Sequence, residues 1–316
     1  MKLPSPEIND VFLLFYELPF DFTGQLPLAL GPGVCLDDTP WGLLNAVPPA
    51  LADYILPGYH LRPSLRLNHC CLRSYDASIP HFRPDTLLFV SLSALRLRAP
   101  LGIHIAGSFT LGPTDNPISK CNLYQLMSPW QPHRERHYTP RDISAAADIA
   151  GRLIEIDNLS YKRITTALVY FSQVAVSLSQ SFQLSYLGLF AALEALFVLT
   201  GNKAAALGAR VSSFLAAFDF PEDLEQWLSK EYRVGRNNIA HGVHEVSFGT
   251  RLQDGRGQTF GRLHEIVRLC ILSFMALRDD QLKALSTMTG TKLQKALDSL
   301  EPASGRFIAG QRMCLD

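Results

Sequence analysis

The sequence predicts an α+β protein: a proline-rich mixed α/β region over residues 1–140, then an all-helical region over 141–316. Three observations carry that expectation. Eighteen of the twenty prolines lie at or before Pro140, and proline breaks helices and central strands alike, so the first part should be short elements joined by many turns. Within it, a helix-spaced run is followed by a strand-like run. Beyond Pro140, apolar residues recur every three to four positions through most of the chain, the period of one helix face.

Composition narrows the classes of function. At 316 residues the chain can hold two ordinary domains, or one large core with an appendage. With 47% hydrophobic and 18% charged residues, a well-buried globule is expected rather than a disordered chain. The 29 basic residues balance 29 acidic ones, so no whole-chain field argues for a nucleic-acid binder, and any polyanion site must be local. Arginine supplies 21 of the 29 bases; its planar fork suits phosphate, and a GC-rich genome gives the same bias. The six cysteines (Cys35, Cys70, Cys71, Cys121, Cys270 and Cys314) form no CxxC pair and no zinc-like spacing. The N-terminus does not read as a cleavable signal, and no apolar run approaches bilayer length. The expectation is a cytoplasmic protein with reduced, structural thiols, no membrane association and no cofactor.

The N-terminal region divides by charge. Residues 1–60 carry seven acids and one base, and residues 61–140 carry nine bases and four acids. The two segments are expected to pack on each other, with a polyanion patch around Arg62, Arg66 and Arg73 as the alternative. Residues 85–97 space Leu88, Leu92 and Leu95 as a helix does, although residues 95–98 alternate like a strand, and residues 102–111 are strand-like. Three features resemble sites without the geometry for one. His69, Cys70 and Cys71 are consecutive, and a strand would point neighbours to opposite faces. His133 and His137 are four apart in a proline-flanked stretch that should not be helical. His104, in an apolar strand, is expected to be a hydrogen-bonded core histidine.

The helical half opens at Thr139, which can cap, with Pro140 suited to the first helical position and Asp142 near the positive end of the dipole. From there to about residue 180 the pattern is helical, with Ile164, Leu168, Phe171, Val174 or Ala175, and Leu178 in one stripe; residues 177–183 are polar enough to end it. The next helix, about 184–199, carries a single charge. Leu187, Phe190, Glu194 and Phe197 fall on one face, so Glu194 needs a cationic partner or a solvated edge. Gly201 and Asn202 mark a stop and restart, and a helix over about 203–218 turns Val211, Phe214, Leu215 and Phe218 inward. Residues 219–223 open another helix that contains Leu224, Trp227, Leu228 and Tyr232 and should run to His241. Gly242 is placed as the residue after its cap. A polar stretch to Gly261 precedes a helix over 262–278, and a last helix is expected over about 280–300.

Chemistry is argued for in one place, Arg236-Asn237-Asn238-Ile239-Ala240-His241. With 21 arginines and nine histidines in 316 positions, such an Arg–His spacing arises by chance about 0.6 times, so its weight comes from context. On a helix of about 3.6 residues per turn, Asn237 and His241 share a face, and Arg236 lies one residue round, stacked below Ala240. His241, in the last turn near carbonyls that favour a cation, suits proton transfer near neutral pH at a ribose hydroxyl or a leaving oxygen. Arg236 suits the charge that develops on a phosphorane-like transition state. Neither role needs a metal.

A helix ending Arg-Asn-x-x-x-His-Gly, after a helix with an apolar Ala-Leu-Glu-Ala-Leu core, resembles the HEPN superfamily (higher eukaryotes and prokaryotes nucleotide-binding), closest to its ApeA-like group. The resemblance covers about residues 160–280, with Arg236, Asn237 and His241 at the motif's fixed positions and Glu194 where ApeA-like members carry a helix glutamate. It implies a compact helical bundle that forms a homodimer, so that two motifs meet in one cleft, and a metal-independent endoribonuclease acting by 2′-hydroxyl attack on the adjacent phosphate. By that resemblance Arg236 would stabilise the transition state, His241 handle the proton and Asn237 orient one of them, with Glu194 and Asn238 in support. Phage defence or a toxin–antitoxin system is the implied setting, with RNA as substrate and an antitoxin or phage trigger as partner. Residues 232–262 carry Arg233, Arg236, Arg251, Arg256 and Arg262 against Glu245 and Asp254, a local positive balance that suits RNA phosphates. The N-terminal region would sense, select substrate or contact a partner. Other members of the superfamily are inactive binding or assembly modules. The alternative is therefore a non-catalytic module in which Arg236 pairs with Glu194 to hold the bundle together.

Overall fold

A computed structural model describes residues 3–20, 26–46, 67–75, 82–100, 103–123, 137–159, 161–177, 182–218, 220, 223–240, 256–308 and 311. The protein is α+β, with a six-stranded antiparallel sheet and its helices in the N-terminal part followed by an all-helical region. It divides into two compact units, Met1–Gly151 and Arg152–Asp316. Sequence composition changes at Pro140, whereas this division falls inside a helix that begins there.

The strands are β1 (Val11–Glu17), β2 (Leu28–Ala29), β3 (Val34–Asp38), β4 (Cys70–Ser74), β5 (His104–Leu111) and β6 (Ile118–Leu123), in the spatial order β2-β3-β4-β1-β5-β6. Phe12, Leu13, Leu14 and Phe15 are all buried. A continuous apolar run of this kind belongs in a sheet interior covered on both faces, and β1 lies between β4 and β5. On one face Phe12 and Leu14 cluster with Leu43, Cys71 and Phe109. Helix α1 (Pro84–Arg98) packs against β1, β3 and β4. Nearly every residue from Leu87 to Leu97 is buried, so α1 has no polar stripe. That is why residues 95–98 also resemble a strand; they are the last turn of the helix. Its final carbonyls are met by the buried hydroxyl of Tyr138, which donates to the Leu95 and Ala99 carbonyls at 3.2 and 2.8 Å.

The division of charge resolves into a buried ion cluster. Arg73, fully buried on β4, donates through Nε to Asp37 at 2.7 Å, through Nη1 to Asp10 at 3.1 Å and through Nη2 to the Pro4 carbonyl at 2.5 Å. The acidic and basic segments therefore pack on each other at this point. Arg73 does not join a polyanion patch, because its guanidinium is enclosed by the chain's own acceptors. Arg62 and Arg66 lie outside the described residues, as do His133 and the side chain of His104. Cys71 is buried and Cys70, at the start of β4, half-buried.

The helical unit is formed by α2 (Pro140–Asn158, which starts in the first unit), α3 (Lys162–Ser177), α4 (Phe182–Phe197), α5 (Lys203–Phe214), α6 (Leu224–Lys230), a π-helical segment (Glu231–Arg236), α7 (Asn237–Ala240), α8 (Arg256–Met275), α9 (Asp279–Thr287) and α10 (Gly290–Asp298). The start of α2 is as expected. Thr139 Oγ1 donates to Asp142 at 2.8 Å, the Asp142 amide donates back to Thr139 at 3.3 Å, and Arg98 adds a 2.9 Å bond to the same carboxylate. Helix α4, with its single charge, packs against α3, α5, α7, α8 and the π segment. Around it Phe197, Phe214 and Phe274 meet edge-on, with centroids 4.9 to 6.0 Å apart. Arginines close two helix ends. Arg210 donates to the Phe197 carbonyl at 2.8 Å, and Arg152 donates to the Met275 and Leu277 carbonyls at 3.1 and 2.9 Å.

Several boundaries differ from the sequence expectation. The run to residue 180 is two helices, broken where Tyr161 turns inward and is 1% exposed. The last helix is also two, because Met288 and Thr289 are extended, with ψ of 144° and 164°, and α10 then begins at Gly290 with a φ of +52°. Helix α5 stops at Phe214, short of residue 218. Helix α8 starts at Arg256, so the end of the stretch expected to be polar loop is helical. Among the described residues no helix is long and apolar enough to cross a membrane.

Candidate functional site

The helix expected to run from residue 223 to His241 is helical through Ala240, but its middle is a π turn spanning Glu231–Arg236. One extra residue per turn is rare in proteins and concentrates at functional sites. Two tyrosine–glutamate bonds between α4 and this turn accompany it. Tyr186 on α4 donates to Glu231 Oε1, and Tyr232 on the π turn donates to Glu194 Oε1 of α4 at 2.8 Å. Gly235 makes room for the first, since a Cβ there would lie 2.7 Å from the Tyr186 hydroxyl. The rings continue inward, with Tyr186 against Phe190 at 5.3 Å and Phe190 against Tyr232 at 5.4 Å, both edge-on.

Arg236, the last residue of the π turn, lies at the outer end of this arrangement. Its Nη2 is 3.2 Å from Glu194 Oε1, its Nη1 donates to Asn237 Oδ1 at 3.4 Å, and its guanidinium carbon is 5.1 Å from the centroid of the Tyr232 ring. Glu194 thus has both a cationic partner and a solvated edge: its side chain is 28% exposed and that of Arg236 31%. These values decide the character of the pair. Water reaches both partners, so it resembles a surface ion pair more than a buried one.

Burial first, then the hydrogen bond and charge of Glu194, push the Tyr232 hydroxyl up to about 12, against a lowering by Arg236. It is therefore a neutral donor at any physiological pH. The carboxylate accepts from a phenol and pairs with a guanidinium at once. Two of the five guanidinium N–H donors take up the contacts made among the described residues. An arginine side chain 31% exposed and in that state suits an anionic group of an incoming ligand.

The structure brings Arg236, Asn237 and Glu194 together. Asn238 is half-buried on α7, and Arg233 is exposed on the π turn. Arg262 is buried, its guanidinium carbon 4.4 Å from the Trp227 ring centroid, so it faces packing rather than solvent. His241 and Arg251 lie outside the described residues, as does the side chain of Arg256. Among the described residues no group of three or more His, Cys, Asp or Glu side chains is placed to hold a metal ion.

Tyr186, Glu231 and Tyr232 were not legible as site residues in the sequence. Tyr232 is four residues before Arg236, the spacing of neighbours on a helix face, a signal that could have found it. Nothing local pointed to Tyr186 and Glu231, which are 45 residues apart. No family model, curated protein or solved structure matches this chain.

Proposed function

We propose that the helical unit is a metal-independent, HEPN-like endoribonuclease that works as a homodimer and cleaves RNA, in phage defence or a toxin–antitoxin system. The observation that carries the reading is the partly exposed Arg236 side chain, held beside Asn237 by Glu194 and Tyr232 and five positions before His241. In this reading the 2′-oxygen attacks the neighbouring phosphorus, the bond to the 5′-oxygen breaks, and a cyclic phosphate and a 5′-hydroxyl result. His241 handles the proton, and Arg236 neutralises charge on the phosphoryl oxygens as it develops. Exposed Arg233 is the described side chain nearest in sequence that is free to meet a flanking phosphate.

The purified chain should cut RNA in EDTA, and both Arg236→Ala and His241→Ala should abolish the cutting while the circular-dichroism spectrum is unchanged. Cutting that persists in both variants overturns the reading. The Glu194 contact at 3.2 Å favours one rival, a non-catalytic module in which Arg236 holds the bundle together. On that rival Arg236→Ala lowers the melting temperature strongly, and no RNA is cut by any form of the protein.

A further inference from the structure

We propose that Tyr232 is a positioning residue for Arg236: its hydroxyl fixes the Glu194 carboxylate, its ring supports the guanidinium, and together they aim the arginine at the scissile phosphate of RNA. This rests on the RNA-cleaving reading above. An Arg–Glu pair that nothing else holds lacks a fixed orientation. At 31% and 28% exposure both side chains keep much of their rotamer freedom and water competes for both, so two-body attraction leaves the guanidinium poorly oriented. Orientation is what a phosphoryl-transfer site needs, since a guanidinium misplaced by an ångström loses most of its preference for the transition state.

Tyr232 supplies the missing constraint from a rigid position. It is 6% exposed, and its ring packs at right angles to that of Phe190, with centroids 5.4 Å apart. From there the hydroxyl holds Glu194 Oε1 at 2.8 Å, the same oxygen that Arg236 Nη2 approaches at 3.2 Å. The ring lies under the guanidinium at 5.1 Å. One residue therefore touches both members of the pair and restricts the arginine from two directions. Because the hydroxyl stays protonated up to about 12, it can only donate to the carboxylate in the working pH range, which keeps the second lone pair of that oxygen directed at Arg236.

The test is a double-mutant cycle. Tyr232→Phe keeps the ring and its packing and removes the donor alone. With a fluorescent RNA oligonucleotide in EDTA it should lower kcat about tenfold with little change in KM. In an Arg236→Lys background the same change should have no further effect, because its action passes through the guanidinium. A melting temperature within a few degrees of wild type separates positioning from loss of fold. The same cycle, read as affinity for a 2′-O-methyl RNA oligonucleotide that cannot be cleaved, keeps the proposal testable if the wild type binds RNA without cutting it. That result would overturn the catalytic reading while coupling between Tyr232 and Arg236 still showed in binding. Wild-type kcat in Tyr232→Phe, or a loss as large in the Arg236→Lys background as with Arg236 intact, overturns the positioning role. A wild type that neither binds nor cuts RNA overturns both.

Discussion

Arg73 in the sheet unit and Arg236 in the helical unit are both arginines paired with carboxylates, and they differ in what their surroundings leave over. Arg73 is fully buried, and its guanidinium is taken up by Asp37, Asp10 and the Pro4 carbonyl. Arg236 is about a third exposed, with one carboxylate, one amide oxygen and one ring. The first arrangement satisfies a charge completely, which a buried ion requires. The second holds a charge in place on a side chain that stays partly exposed, as a site for an anion requires. The same residue type, and the same pairing with an acid, thus serves the fold in one unit and suits chemistry in the other. Burial and the count of partners make the difference.

The largest effect is expected at Arg73. Arg73→Ala strands Asp37 and Asp10, whose side chains are 10% and 12% exposed, and should destabilise by about 3–5 kcal/mol in urea unfolding. A loss below about 1 kcal/mol would mean the cluster is no more than a surface network. A smaller effect is expected at Asp142, which accepts from Thr139 and Arg98 at a helix start. Burial raises its pKa, but the bonds from Thr139 and Arg98 and the Arg98 charge outweigh it, so the folded value lies below the usual 3.8. The carboxylate therefore contributes fully above about pH 4 and loses that contribution as the pH falls through the folded value. Asp142→Asn should cost roughly 1–2 kcal/mol at neutral pH and flatten the acid limb of a stability–pH curve. An unchanged slope would refute the linkage. The smallest effect on stability is expected at Arg236. Because both partners are solvated, Arg236→Ala should cost at most about 1 kcal/mol in thermal melting, even as, on the proposed function, it removes activity. A cost like that of Arg73→Ala would place Arg236 in the structural class.

Much of the architecture was legible in the chain. The shift in proline content separated a sheet-containing part from a helical one, and the capping residues at Thr139 and Asp142 located the start of α2. Apolar periodicity found α1 and the cores of α3, α4, α5 and α8. Breaks were harder to read, as at Tyr161 and at Met288 and Thr289, because a helix ends where burial of one side chain or an extended residue outweighs the propensity of its neighbours. Most of the strands were not legible. Elements such as β2 and β3 span too few residues for alternation to stand out, and β1 is buried on both faces and does not alternate at all.

For the candidate site, the sequence supplied Arg236, Asn237 and the need of Glu194 for a partner, since composition, spacing and the energy of a charge on an apolar stripe are local properties. Tertiary structure supplied the partners themselves. Arg73 meets acids 36 and 63 residues away, Tyr232 meets Glu194 across 38, and Tyr186 meets Glu231 across 45. The Tyr186 hydroxyl that passes over Gly235 in the π turn comes from a different helix. A chain encodes at each position which groups cannot be left unsatisfied. Which group satisfies them depends on packing between elements far apart in sequence, and that packing sets whether an arginine is enclosed or presented.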